Sequence, residues 1–427
     1  MRRRAGRRQS NNLHERLAFI EGLRGIAALY VVLTHFGSML DPSHLEGTKS
    51  LVPAWMQSII RPFWFGHLAV AAFIVLSGYC LQTSLFGGRD GRIHKYGKFY
   101  ARRAKRILPP YYATLIFSVL VSIYVTQNQH VSPFTNYVPV TNENVLAHAF
   151  MIHNFNTDWM YKLNGVLWSI SFEWQLYLLF PLLVALMFKV GRFFFVAIMA
   201  VIAAVAILKF GITLKLYIWY VPLFALGMAT SHLAYRPNLR VGTVPRLAAW
   251  VFVLAALGCG YACQVSGGIT PMMMPLCDAL IGISVAALVY LGTVAPWTPF
   301  TKLFAWKPIA SLGFFSYSLY LMHHPILQLL YVNRPEWVKG PEMIAGYMMV
   351  VCLPVILFAC YLFSLLFELP FMATRKSRVP TQRELGAPVA LPLVSNMAVV
   401  QTERGVRAEA LAQATLANAE KAVAPAS

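Results

Sequence analysis

Charged side chains are scarce in this sequence: they make up 12% of its 427 residues, against roughly 25% in an ordinary soluble protein. Carboxylates are scarcer still, with 16 Asp and Glu against 36 Lys and Arg and a net charge of +20. The shortage excludes the two or three soluble domains that length alone would allow. With 58% hydrophobic residues and a mean hydropathy of +0.58, it argues for one polytopic membrane unit. In a soluble chain such a charge would point to nucleic acid; in a membrane chain it points to the loops, and no nucleic-acid partner is expected. The six cysteines, Cys80, Cys259, Cys263, Cys277, Cys352 and Cys360, all lie in apolar runs, none at zinc-ligand spacing with a histidine. They read as small apolar residues, and no metal is expected. The basic start, MRRRAGRRQSNNLHERL, lacks a small-residue cleavage site and a short apolar region, so it reads as the lead into a first spanning helix and not as a removable signal. Internal repeats of the transporter kind are not evident.

What the chain has instead is apolar runs long enough to cross about 30 Å of hydrocarbon. They fall near 17–40, 63–86, 108–127, 163–188, 192–210, 214–235, 246–265, 273–294, 311–333 and 342–372. The predicted fold is all-α: about ten transmembrane helices around an intramembrane cavity. Segment 142–156 reads as an interfacial or re-entrant piece. With the N-terminus inside, the inner loops carry 24 Lys and Arg and the outer loops 7, the bias expected of cytoplasmic loops. Both termini are therefore expected in the cytoplasm. The organisation is a basic N-terminus over 1–16, a membrane domain over 17–375 and a poorly ordered cytoplasmic tail over 376–427.

A few ionisable residues interrupt these runs, each costing about 2.5–3.5 kcal/mol on insertion scales. In "LRGIAALYVVLTH", Arg24 and His35 are eleven residues apart. Eleven steps of about 100° bring the chain back to within roughly 20° of its starting direction, and the rise separates the two by roughly 16 Å. They share one helix face. Glu173 lies in "WSISFEWQLYLLFP", and His323 and His324 in "SYSLYLMHHPIL". Counted along alternating helices, His35, Glu173, His323 and His324 fall in the outer half, with Arg24 alone near the inner side. A histidine beside a carboxylate is a natural general base, and histidine also serves as a nucleophile that carries a transferred group. The sequence leaves both roles open. In the basic loop 86–107, Arg102, Arg103 and Arg106 sit where the loop becomes helix, and Arg103 and Arg106, three apart, share a face. Such clusters grip phosphates, and they also contact anionic lipid head groups.

Together these stretches resemble the acyltransferase-3 family of integral membrane acyltransferases. The resemblance rests on Arg24 and His35, on "FIVLSGYCL" with Phe73, Ser77 and Gly78, and on "YARRAKRILPPYY" with Arg102, Arg103, Arg106 and Pro109. It continues through Trp168, Ser169 and Glu173, through Ser316, Tyr317, Ser318, Tyr320, Leu321 and one of the two histidines, and through Glu368 and Pro370 in "FELPF". It implies transfer of an acyl group, commonly acetyl, from a coenzyme A thioester to a carbohydrate hydroxyl. Acyl-CoA is then the donor, bound by Arg24, Arg102, Arg103 and Arg106. His35 and Glu173 are the expected catalytic residues, with Glu173 holding or polarising His35. Ser77, Trp168, Tyr320, His323 and His324 shape the substrate pocket. The expected setting is a bacterial inner membrane, with the lipid bilayer, a carbohydrate acceptor and polysaccharide-synthesis machinery as partners. Many peptidoglycan and O-antigen members carry an extracytoplasmic hydrolase-like domain; the short tail here favours a standalone modifier or one with a separate partner. Outer-loop aromatics Trp55, Trp64, Tyr137 and Trp159 suit stacking on sugars, as they suit an interfacial belt. The rival reading is a transporter or flippase for a polar or glycan substrate, which would use intramembrane charges and a midplane cavity equally well.

Overall fold

Every apolar run becomes helix. A computed structural model describes residues 2–43, 49–86, 90–128, 139–210, 216–235, 244–265, 273–294 and 298–371. The tail 376–427, Tyr137 and Arg89 lie outside the described residues. The main helices are α1 (Arg2–Leu40), α2 (Ala54–Ile60), α3 (Gly66–Leu85), α4 (Tyr96–Asn128), α5 (Asn142–Ala149), α6 (Leu167–Val190) and α7 (Arg192–Phe210). They continue with α8 (Tyr220–Tyr235), α9 (Val244–Val265), α10 (Met274–Val294), α11 (Lys307–Phe314), α12 (Ser316–Val332), α13 (Pro341–Tyr347) and α14 (Leu353–Phe363). Among the described residues there is no strand.

Among the described residues, seven helical stretches are long and apolar enough to cross a bilayer. The other three expected positions are helical too, but α8 has 16 residues and α12 has 17, and the apolar part of α9 is only Leu247–Cys263. The chain is an integral membrane protein, and its outer surface shows why. Phe194 on α7 is 71% exposed and Val350, in the π-helical turn Met348–Cys352, 75%, apolar side chains suited to lipid on helices long enough to span it. Among the described residues the main apolar core draws on α1, α3, α4, α6, α7, α8, α10, α12 and α14, with two smaller clusters beside it.

Two local features set the geometry of the centre. At the α3–α8 crossing, a Cβ added to Gly78 would lie 2.1 Å from the Phe224 carbonyl oxygen, and one added to Gly227 2.1 Å from that of Val75. The two backbones touch, as small residues permit in membranes. Within α12, Pro325 cannot bond the Leu321 carbonyl one turn back. The Asn164 side chain, just before α6, donates to that carbonyl at 3.1 Å and to Ser118 Oγ at 3.1 Å. The first turn of α12 is capped from elsewhere as well. Glu368, in the π-helical turn Ser364–Glu368, accepts from the Ser318 amide (3.2 Å) and hydroxyl (2.6 Å), which satisfies donors no side chain of α12 itself reaches.

Candidate active site

Helices α1 and α12 bring three imidazoles together. The His35 ring lies 5.2 Å from that of His323 and 4.7 Å from that of His324, centroid to centroid. His323 and His324 are fully buried, whereas His35 keeps part of its surface open. His323 Nδ1–H donates to the Leu319 carbonyl (2.9 Å), which leaves Nε2 as the acceptor; that atom is buried with no partner. One turn towards the start of α12, the Tyr320 ring sits 6.2 Å from His323 and 5.6 Å from Phe73. Its hydroxyl pairs with Ser169 Oγ at 2.6 Å. Trp168, the neighbour of Ser169, stacks on Tyr217 at 4.1 Å.

Glu173 is not part of this group. Its carboxylate accepts hydrogen bonds from Ser77 on α3 and from Tyr177, one turn further along α6. It has no hydrogen bond to His35, so the expected pairing of these two side chains is not formed. On α6, Ser169, Glu173 and Tyr177 succeed one another at four-residue steps down one face. Ser169 stands level with Tyr320, while Glu173 lies a turn deeper, level with Ser77. The Gly78–Phe224 contact seats Ser77 there, by holding α3 tight against α8.

Below Glu173 the site turns basic. Arg24 is not alone: Glu21, Glu368 and Glu173 all lie within electrostatic reach of it, as does Cys80. Arg103 lies near Tyr177 and Cys80, and Arg106 near Cys80, Glu368 and Tyr317. Arg103 and Arg106 are half-buried, while Arg102 is exposed. The Arg103 guanidinium lies 5.8 Å from the Phe99 ring centroid, and its Nε is buried without a partner. Arg103 and Arg106 thus face inward on the side of Arg24, and Arg102 faces away.

Several polar groups here went unread in the sequence. Tyr177 was within reach, being four residues from Glu173 on the same helix. Asp278 is an acidic residue inside an apolar run. It is fully buried, accepts from His67 Nδ1 (2.6 Å) and Trp219 Nε1 (2.8 Å), and leaves His67 Nε2 without a partner. Among the described residues no group of three His, Cys, Asp or Glu could hold a metal.

This architecture can be set beside known proteins. A family model described as an acyltransferase domain, Acyl_transf_3, matches residues 17–373. The chain belongs to that family. Among curated proteins, the peptidoglycan O-acetyltransferase OatA of Listeria monocytogenes is 22% identical over 340 residues, covering 73% of this chain and 49% of that protein. The O-acetyltransferase OatA of Staphylococcus aureus is 25% identical over 378 residues, 78% of this chain and 54% of that one. A putative O-acetyltransferase of the same species is 26% identical over 219 residues, 46% and 29% respectively. The chain therefore spans about half the length of the first two. No solved structure matches it.

Proposed function

We propose that this chain transfers an acyl group, acetyl by preference, from cytoplasmic acyl-CoA to a hydroxyl of an extracytoplasmic or lipid-linked polysaccharide. The observation that carries the reading is His35, the partly open member of the three-imidazole cluster, placed along the same helix face as Arg24 and backed by two buried histidines. The nucleotide end of the donor carries several phosphates, and inward-facing Arg103 and Arg106 suit them by charge and bidentate hydrogen bonding. Arg24 then marks the path of the uncharged pantetheine arm, and roughly 16 Å of helix rise separates it from His35. His35 receives the thioester end. It either takes the proton of the acceptor hydroxyl as the acyl group moves, or carries that group on nitrogen before the hydroxyl attacks. Glu173, bonded to Ser77 and Tyr177 and near Arg24, is a positioning residue between the basic end and the imidazoles. Tyr320, anchored by Ser169, bounds the acceptor side together with Trp168. Names of the relatives make peptidoglycan-type glycans the first acceptors to try. The orientation follows from the basic loops, with both termini in the cytoplasm of a bacterial inner membrane.

The test uses membranes carrying the protein, radiolabelled acetyl-CoA and isolated cell-wall glycan. Label should pass to glycan with the native chain and not with His35→Ala, at equal amounts of inserted protein. Transfer by His35→Ala at more than a tenth of the native rate would refute the role given to His35. A label found on the protein and discharged by added glycan would assign the carrier role; its absence during turnover would assign the base role.

A further inference from the structure

Three thiols converge where α9 ends and α10 begins. Cys263 Sγ lies 3.8 Å from Cys277 Sγ, and Cys259 Sγ lies 3.5 Å from the Cys277 carbonyl oxygen. None of the six cysteines is in a disulfide in this structure. Cys277 is fully buried, while Cys263 is half-buried. Leu68, Met273, Leu280 and Ile281 pack around the cluster. Cys259 and Cys263 are one turn apart on a single helix, so a bond between them would restrain α9 alone. A bond from Cys263 to Cys277 would join two packed helices. Closing 3.8 Å to a disulfide length of about 2.05 Å asks for about 1.8 Å of movement, within the reach of a χ1 rotation of the half-buried Cys263 side chain.

The position of the cluster gives it an oxidant. Cys277 adjoins Asp278, which holds His67 at the start of α3 and Trp219 just before α8. These helix starts lie at the end of the bundle away from Arg103 and Arg106, and disulfides persist in extracytoplasmic compartments. This step rests on the sidedness given under the proposed function. We propose that Cys263 and Cys277 form an interhelical disulfide in the cell. The Cys263 thiolate attacks the disulfide of an extracytoplasmic thiol–disulfide oxidant, giving a mixed disulfide. The Cys277 thiolate then attacks Cys263 Sγ, and the oxidant leaves reduced, as a dithiol. Two thiols lose two electrons, and their two protons end on the oxidant's sulfurs. The bond ties α9 to the first turn of α10, next to the carboxylate that orients His67.

The experiment uses the full chain in cells quenched with acid. Thiols are blocked with N-ethylmaleimide, disulfides are then reduced, and the freed thiols are labelled with a maleimide polymer that shifts the band on a gel. Two additions are expected in the native chain and in Cys352→Ser, and none in Cys277→Ser. No reduction-dependent addition in the native chain, or two surviving in Cys277→Ser, would overturn the proposal. Diamide treatment of isolated membranes separates the causes of failure. Closure there but not in cells faults the sidedness, and no closure in either faults the pairing. Acetyl transfer measured on the same membranes reports on the active-site reading independently.

Discussion

Replacing Asn164 by alanine should loosen the centre of the protein in a way that a second replacement repairs. Asn164 has one Nδ2 shared between Leu321 O and Ser118 Oγ, both at 3.1 Å. The carbonyl is available because Pro325, four residues on, has no amide hydrogen to offer it. Removing the side chain leaves that carbonyl unpaired in a fully buried site, a loss of about 1–3 kcal/mol by the usual cost of an orphaned buried acceptor. Membrane reference states recover part of this, and measured side-chain couplings average about 0.6 kcal/mol with a ceiling near 1.7. Pro325→Ala restores an amide that can bond Leu321 within the helix, so Asn164 is no longer needed there. The double variant should thus be more stable than the sum of its single effects by about 0.5–1.5 kcal/mol. Thermal unfolding in detergent of the four proteins closes the cycle, and acetyl transfer should follow the same pattern because His323 and His324 sit on the same turn. Strict additivity would refute the account of Asn164 as a substitute donor for the proline.

The remaining expectations concern the basic end and the interfacial segment. Arg103→Ala should raise the KM for acetyl-CoA roughly ten- to a hundredfold, the loss of one charge-assisted hydrogen bond of about 1.5–3 kcal/mol. Arg102→Ala, at an exposed position, should change it less than threefold by the same scale for exposed charges; equal effects would refute the inward assignment of Arg103. Outside the spans, His148 and His153 are stacked with centroids 3.7 Å apart. Burial lowers His148 from 6.5 to about 4, and burial with the facing His148 ring pushes His153 well below its usual range. Both are held neutral in the folded chain, so their contribution is complete above about pH 6.5 and is lost as pH falls from there through about 4. Unfolding in detergent should become easier by on the order of 3 kcal/mol for His148 across that window, and His148→Gln should flatten the profile. An unchanged slope in that variant would count against the stack as the source.

Much of the helical plan was legible because apolar length is a one-dimensional property. The Arg24–His35 alignment was legible for the same reason: one helix and one spacing settle it. The meeting of His35 with His323 and His324 followed from counting depth along alternating helices. That count resolves levels only to a turn or two, and Glu173 lies a turn below Ser169 and Tyr320, which themselves lie a turn below His323 and His324. Ser169 took the place level with Tyr320, while Glu173 went to Ser77. Asp278 and His67, 211 positions apart, meet only because α3, α8 and α10 lie side by side, a neighbourhood no local pattern records. The Asn164–Leu321 bond was beyond reach for a related reason, since a proline announces a vacant carbonyl but not its new donor.

The reciprocal contact of Gly78 and Gly227 constrains how this protein can move and change. Neither backbone has room for a methyl group from the other, so the third and eighth helices are expected to travel as a single rigid keel. Any widening that admits a substrate is therefore expected in the first and twelfth helices, which carry the histidines and pack beside this crossing. Over generations the same crossing should act as a ratchet: an alanine at either glycine would push Ser77 off Glu173, and no single change across the crossing could take up the displacement.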